Sequence, residues 1–163
     1  MVQISIRRKR ARRFFIFGAL LFFIFLLLNI IAIFQSYRFT HYTSSQKTEK
    51  KSSSKIEKIL FGVSYPKAKN TVFPSRDYKE IYVSENPRLE CWEVLVENPK
   101  GLVILFHGYT ASKSDMLARS DYFNSLSYST VLVDFMGAGG SEGYHTTIGY
   151  KEAEQVKEVF YFF

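Results

Sequence analysis

One serine of the sequence lies in a pattern typical of a catalytic nucleophile. Residues 139–143 read G-G-S-E-G and fit G-x-S-x-G, the turn that presents a nucleophilic serine in many acyl-transfer enzymes. His145 follows four positions later as a candidate base, and Asp134 precedes the motif as a candidate acid. Because the members of a catalytic triad converge from different loops, these spacings alone leave the role of Ser141 open.

The segments before this motif predict the strands of a sheet. Residues 78–83 and 91–96 show strand patterns separated by a turn around Pro87, which favours an antiparallel hairpin at one edge of a sheet. The continuous apolar runs at residues 102–106 and 130–135 are typical of strands that are covered on both faces.

Helices are expected between and after the two apolar runs. Residues 112–127 predict one helix, with Ser112 or Ser114 as its N-cap. Since strand, helix, strand and helix then alternate, the sequence predicts a mostly parallel α/β sheet. The second helix is expected over residues 150–163, with an apolar stripe of Ala153, Val156, Phe160 and Phe163.

Three segments carry a resemblance to a known family. They read L-V-I-L-F-H-G-Y-T-A-S from residue 102, V-L-V-D-F-M-G-A-G-G-S-E-G from residue 131 and T-T-I-G-Y-K-E-A-E-Q-V-K-E-V from residue 146. In this order they resemble the α/β-hydrolase superfamily, in particular bacterial membrane-anchored hydrolases related to the serine aminopeptidase-like esterases and lipases. The resemblance covers roughly residues 73–163. It implies an α/β-hydrolase fold without cofactor or metal, in a lineage that cleaves ester or amide bonds with a serine nucleophile.

The resemblance gives the loop after the first apolar run a role in catalysis. In hydrolases of this fold, that loop supplies one backbone N–H of the oxyanion hole, and the residue after the nucleophile supplies the other. Here the loop is His107, Gly108 and Tyr109, and the implied donor is the N–H of Tyr109. Gly108 lets the backbone approach a substrate closely, and His107 is expected to orient the loop and not to act as the base. An ordinary strand-to-helix turn is the alternative.

The same resemblance argues against Ser141 as the nucleophile, because the family's nucleophile follows a later strand. Ser141 and its glycines are then expected to shape a turn and cap the next helix, and Asp134 to anchor the loop. His145 is not the expected base, since the family's histidine lies near the C-terminus. Met136 stands where an arginine is frequent and Ala138 where a small residue or histidine occurs, which puts a usual loop-stabilising contact in doubt.

The family pattern also predicts an incomplete hydrolase domain. The next strand, the nucleophile elbow, the acid and the catalytic histidine are all expected beyond Phe163. We therefore expect the N-terminal part of a longer hydrolase, without turnover of its own, whose missing C-terminal half is a partner if it is separately encoded. A non-enzymatic membrane interaction protein or an inert remnant is the alternative, and an aspartate nucleophile in place of serine stays open.

A basic run followed by a long apolar run marks the N-terminus. Residues 7–13 hold six of the 22 Lys and Arg, and residues 14–34 carry no charge. A helix over the apolar run spans about 31 Å, enough for a hydrocarbon core of about 30 Å. We predict a signal anchor in the bilayer over residues 14–34, with residues 1–13 in the cytoplasm and the rest extracytoplasmic. A cleaved signal peptide is the rival, but no A-x-A site follows the run.

The net charge of +7 is a feature of this terminus. All 15 acidic residues follow the basic run, so the remainder has a charge of 16 − 15 = +1. This balance disfavours a nucleic-acid-binding domain.

The segment after the apolar run predicts a linker. Residues 35–55, which include His41, are rich in Ser, Thr and Lys and favour a flexible stalk before a domain over residues 56–163. A short amphipathic helix is expected near its end, at Ile56, Ile59 and Leu60. The single Cys91 excludes an internal disulfide.

Overall fold

The chain forms two compact units. The computed structural model describes residues 2–44 and 54–163. The first unit combines Met1–Arg38 with Ser53–Val63, and the second combines Phe39–Ser52 with Ser64–Phe163. Part of the predicted stalk, residues 45–53, lies outside the described residues.

The first unit contains a long apolar helix. Helix α1 spans Val2–Thr40, and its last two residues, Phe39 and Thr40, belong to the second unit. Over Arg12–Thr40 the helix is long and apolar enough to cross a membrane, a property that signal sequences share. The predicted span ends at Phe34, but α1 continues through residues 35–40 because the sequence Q-S-Y-R-F-T contains neither proline nor glycine. The start of the predicted stalk is therefore helical.

A short helix completes the first unit. Helix α2 spans Lys55–Phe61, as expected from its apolar pattern. Ser54 caps it, because the backbone N–H of Glu57 donates to Ser54 Oγ at 3.1 Å. Gly62, with a φ of 72°, ends it.

The second unit is built on a four-stranded sheet. Its strands are β1 (Lys79–Val83), β2 (Leu89–Val94), β3 (Leu102–Phe106) and β4 (Ser129–Val133), in the spatial order β1-β2-β4-β3. The predicted antiparallel edge hairpin of β1 and β2 is confirmed. β4 pairs antiparallel with β2 and parallel with β3. Because the antiparallel hairpin joins the sheet through β2, the described sheet is mixed and not mostly parallel as expected.

The two apolar strand runs differ in burial, although the sequence predicts both to be covered. Every residue of β4 is buried, because the strand lies between β2 and β3. β3 is only half-buried, and its first residue, Leu102, is 40% exposed. Among the described strands β3 pairs with β4 alone, so it is an edge strand, and the prediction of full burial is wrong for it.

The predicted helix over residues 112–127 has two parts. A 3₁₀ turn, Lys113–Met116, leads into helix α3, Leu117–Ser125. The turn begins at Ser112, whose backbone N–H donates to Asp115 Oδ2 at 2.9 Å. Ser112, and not Ser114, therefore starts this segment.

The last helix buries two polar side chains and one apolar side chain. Helix α4 spans Tyr150–Phe162 and buries Glu152, Gln155 and Val159. Of the predicted apolar stripe, Ala153, Val156 and Phe160 are exposed, while Phe163 packs against the core. The buried polar side chains bind loop backbone groups; the backbone N–H of Met136, for example, donates to Gln155 Oε1 at 3.1 Å. Hydrogen bonding thus decides which face α4 buries.

Two apolar clusters cover the two faces of the sheet. Alternate residues of β2 and β4 belong to different clusters, as the period of a strand requires. Trp92, Val94 and Leu132 form the smaller cluster, against which Met116 and Leu117 pack. The larger cluster comprises Val83, Leu89, Cys91, Val131, Val133, Met136 and Val159.

Candidate functional site

His107 holds the loop that follows β3. Its side chain is buried, and its Nε2 lies 3.1 Å from the backbone nitrogen of Phe135. Because that N–H can only donate, Nε2 accepts, and the proton of a neutral ring is on Nδ1. Nδ1 lies 2.8 Å from the carbonyl oxygen of Gly108 and donates to it. Both ring nitrogens are used within the protein, which fits a loop-orienting histidine and leaves no nitrogen free to act as a base.

Tyr109 is held by its side chain. Its ring stacks on Phe39 at a centroid distance of 4.7 Å, and its hydroxyl donates to the Phe39 carbonyl oxygen at 2.5 Å. Tyr42 and Tyr65 contact the same ring. Burial, with a smaller contribution from the neighbouring tyrosines, raises the pKa of Tyr109 to about 12, so the phenol stays a neutral donor.

The backbone at this loop is open to a ligand. Within the described ranges, the N–H of Tyr109 donates no hydrogen bond to a protein group. A Cβ added at Gly108 would meet no atom within 4 Å, so the backbone there borders open space. An uncommitted N–H beside open space is the geometry that an oxyanion hole requires.

A cavity of about 400 Å³ borders the loop. Its size lies in the range of small-molecule sites. The loop after β3, the loop after β4 and the first turns of α4 form its walls. The lining residues are Tyr42, the loop of three from His107, the segment of Phe135, Met136 and Ala138, and Thr146, Ile148, Gly149, Glu152, Ala153 and Val156.

Glu152 contributes a buried carboxylate to this wall. It accepts hydrogen bonds from the Thr146 hydroxyl at 2.6 Å, from the Thr147 backbone and hydroxyl at 2.9 and 2.5 Å, and from the Gly149 N–H at 2.9 Å. Burial alone would raise its pKa, but these donors together lower the pKa to about 2. The carboxylate is therefore ionised at neutral pH, and it closes the N-terminus of α4.

Ser141 is a structural residue in this fold. It is 1% exposed, its Oγ donates to the Asp134 carbonyl oxygen at 2.7 Å, and it accepts from the Glu90 N–H at 2.8 Å. Neither partner is a histidine. The expected capping of α4 by Ser141 is wrong, since Glu152 and Thr147 bind the first N–H groups of that helix. Ser141 instead joins the start of β2 to the end of β4.

The two remaining histidines form a pair of their own. His41 and His145 form an antiparallel β-bridge, and their rings stack at a centroid distance of 5.7 Å. The hydrogen bonds of Ser141 described above involve neither ring. A Ser141–His145 pair is thus not formed.

Asp134 anchors its loop, as predicted. It is fully buried, and its Oδ2 accepts from the Gly140 N–H at 3.0 Å and from Asn70 Nδ2 at 2.8 Å. A Cβ added at Gly139 would overlap the Asp134 carboxylate, and one added at Gly140 would overlap the Glu90 carboxylate. The glycines of the motif therefore make room for two carboxylates. Met136, where an arginine is frequent in the family, is buried in the larger apolar cluster.

A buried lysine completes this cluster and was missed in the sequence. Lys113 is 0% exposed, and its Nζ lies 2.5 Å from both Asp134 Oδ2 and Glu90 Oε1 and 4.4 Å from the centroid of the Trp92 ring. We call Lys113, Asp134 and Glu90 the buried charge cluster. A lysine one residue after a helix cap is usually solvated, so its type and position gave no signal. The burial of Asp134 at the end of an apolar strand was the available clue, because such a carboxylate needs a cation.

Several solved structures are similar to part of this chain. One crystal form of the Pyrococcus furiosus esterase Pf2001 matches with a TM-score of 0.50 and 26% identity, over 60% of this chain and 39% of the esterase chain. A second crystal form gives 0.49 and 27%, over 58% and 40%. A predicted CIB-like hydrolase from Thermoplasma acidophilum gives 0.40 and 20%, over 52% and 44%. No family model and no curated protein matches the chain.

The likeness to the esterase supports the predicted fold. The second unit has a partial α/β-hydrolase fold, and the first unit carries the apolar helix. The chain spans about two fifths of the length of that esterase, since it covers 39% of it.

Proposed function

We propose that the chain contributes an oxyanion-binding loop to a membrane-anchored hydrolase of ester or amide bonds. The observation that carries this proposal is the Tyr109 N–H, which has no hydrogen-bond partner among the described residues. His107 and the Phe39 stack hold it beside a cavity. A carbonyl oxygen at this N–H would gain a donor as negative charge develops on it. The likeness of the second unit to part of an esterase structure supports the same reaction class.

The anchoring part of the proposal rests on α1. The helix carries no charged side chain over residues 14–34, and the amide of Asn29 donates to the Phe25 carbonyl oxygen at 2.8 Å, so its polar group has a partner within the helix. The basic run at residues 7–13 favours a cytoplasmic N-terminus and an extracytoplasmic second unit. A cleaved signal sequence would give the same hydropathy, and the length of the mature chain in membranes distinguishes the two.

The serine nucleophile is proposed to come from another segment. Ser141 is buried and hydrogen-bonded at both its donor and its acceptor side, so the chain is expected to show no turnover alone. The free edge of β3 offers a place where further strands of a hydrolase domain can pair. If the C-terminal half of the domain is separately encoded, that half is the proposed partner.

A non-enzymatic membrane interaction protein is the second candidate function. The hydrogen bonds that occupy the Ser141 hydroxyl favour this second function. The exposed side chains of Val156 and Phe160 on α4 favour it too. Under this reading the chain binds a partner through its apolar surface and never acquires a nucleophile.

Labelling with a fluorophosphonate probe tests the proposal. The tagged chain is isolated from its native membranes, and probe label is measured on it and on proteins bound to it. We expect no label on the chain, a label on a bound partner, and Ser141→Ala to change neither. Label on the chain itself that Ser141→Ala abolishes would overturn the assignment of Ser141. Absence of any labelled partner favours the non-enzymatic function.

A further inference from the structure

The cavity beside Tyr109 combines apolar walls with one ionised side chain. Phe135, Met136 and Ile148 are among its lining residues. Of the described residues that line it, Glu152 is the only one of the types Asp, Glu, Lys and Arg. The described lining therefore contains no lysine or arginine to balance a bound anion.

Glu152 also occupies the position where an anion would otherwise bind. The N-terminus of a helix attracts anions through its free N–H groups and its dipole. At α4 the Gly149 N–H and the Thr147 N–H both donate to Glu152, each at 2.9 Å. The attraction of this helix end is thus already used by the protein's own carboxylate.

We propose that Glu152 is a selectivity residue, which makes the cavity a site for an uncharged single-chain amphiphile and excludes the anion of the same chain. The apolar walls hold the hydrocarbon part. The Tyr109 N–H supplies a donor for its polar oxygen. A carboxylate bound in this cavity would share it with the Glu152 carboxylate, and like charges repel each other more strongly in a partly enclosed site than in water.

The short distance in sequence between the apolar run and the cavity favours the bilayer as the source of such a ligand. Tyr42 lines the cavity and follows Phe34, the last residue of the apolar run, by eight positions. An extended chain of that length reaches no further than about 29 Å. In the proposed anchored state, a lipid-soluble ligand is therefore concentrated close to the cavity. The biological role of the ligand rests on the proposed function, but the charge preference does not require turnover.

Binding to the full chain in nanodiscs of uncharged lipid tests this preference. The probes are decan-1-ol and decanoate, compared at pH 8 by ligand-observed NMR. The Ala153→Trp variant, whose new ring fills the cavity, gives the baseline for partition into lipid. Above this baseline we expect the alcohol to bind at least about tenfold more tightly than the carboxylate. Equal or tighter binding of decanoate, or alcohol binding that Ala153→Trp does not reduce, would overturn the proposal.

Charge-neutralising variants provide the second test. Glu152→Gln is expected to strengthen decanoate binding by about tenfold and to leave decan-1-ol unchanged. Glu154→Gln removes the same charge from an exposed position of the same helix and is expected to change neither. Equal gains in both variants would show that net charge, and not Glu152, sets the preference. If Glu152→Gln fails to fold, the comparison of the two probes on the unmodified chain decides.

The two proposals fail in distinguishable ways. If the chain has no labelled partner but still binds the alcohol more tightly, the charge selectivity of the cavity stands and the proposed hydrolase function fails. A labelled partner without a charge preference would leave the hydrolase and remove the selectivity of Glu152.

Discussion

The buried charge cluster and the cavity differ in how far their polar groups have hydrogen-bond partners within the protein. In the cluster, Lys113 bridges Glu90 and Asp134 through its Nζ. Asp134 also accepts hydrogen bonds from the Gly140 N–H, the Asn70 side-chain amide and the Lys113 backbone N–H. At the cavity, the side chains of Tyr109 and Glu152 are hydrogen-bonded, but the N–H of Tyr109 has no partner within the described ranges. The cluster thus stabilises one conformation of the loops, whereas the cavity keeps a donor that can bind a ligand. A free donor, and not the number of polar residues, therefore distinguishes the cavity from the cluster.

The largest expected effect comes from breaking the buried charge cluster. Lys113→Ala leaves two carboxylates without their cation, one of them fully buried, and is expected to lower the free energy of unfolding by about 3–5 kcal/mol. Urea unfolding of the full chain in detergent micelles, followed by the fluorescence of the single Trp92, measures it. Lys157→Ala, at an exposed position of α4, is the matched control and should stay within about 0.5 kcal/mol. A similar small change for Lys113→Ala would show that the cluster contributes little.

A smaller effect is expected where the glycine loop meets the same cluster. Gly139 has a φ of 46°, and a Cβ there overlaps the Asp134 carboxylate. Gly139→Ala is therefore expected to cost about 2–4 kcal/mol, from the left-handed backbone and the displaced hydrogen bonds. Gly101→Ala places its Cβ at an ordinary 3.6 Å from Tyr128 and should be nearly neutral. Equal costs in the two variants, measured by the same unfolding assay, would contradict the close approach.

The cavity side is expected to show the smallest effect and a pH dependence. Glu152→Gln should lower the free energy of unfolding at pH 7 by about 1–2 kcal/mol, because charged acceptors bind N–H and O–H donors more strongly. The folded pKa of Glu152, about 2, lies below its ordinary value of 4.5. Its stabilisation is therefore complete above pH 4.5 and is lost as the pH falls towards 2.

Unfolding titrations at several pH values check this sign. The difference between the unmodified chain and Glu152→Gln should shrink between pH 4.5 and pH 2. Glu154→Gln, which removes an exposed carboxylate, should show no such window. A difference that stays constant with pH would mean that the Glu152 carboxylate is not preferentially stabilised in the folded chain.

The order of elements could be predicted from the sequence, but several burial patterns could not. The hairpin of β1 and β2 follows from alternation and a turn, which are local signals. β3 and β4 have similar apolar runs, and only the pairing of the whole sheet makes one central and the other an edge. Local composition does not contain that information.

The site shows the same division between local and non-local signals. His107 and Gly108 were identified by their position after an apolar strand, which a sequence motif records. Glu152 and Lys113 are charged residues at ordinary surface spacings. Their burial depends on hydrogen-bond partners far along the chain, such as Glu90 for Lys113. Ser141 is the converse case, since its motif is local but its hydroxyl is committed to backbone groups of β2 and of the residue after β4.

The reactivity of the buried Cys91 thiol can report local unfolding of the sheet. It is the single cysteine, it lies in β2 with no exposed surface, and burial raises the pKa of its thiol to about 12. Thiol reagents attack the thiolate, so the folded strand is protected both by access and by protonation. The rate of thiol modification at a fixed pH therefore measures how often β2 separates from β1 and β4 by local unfolding. No label or engineered residue is needed to follow how a partner at the sheet edge changes that frequency.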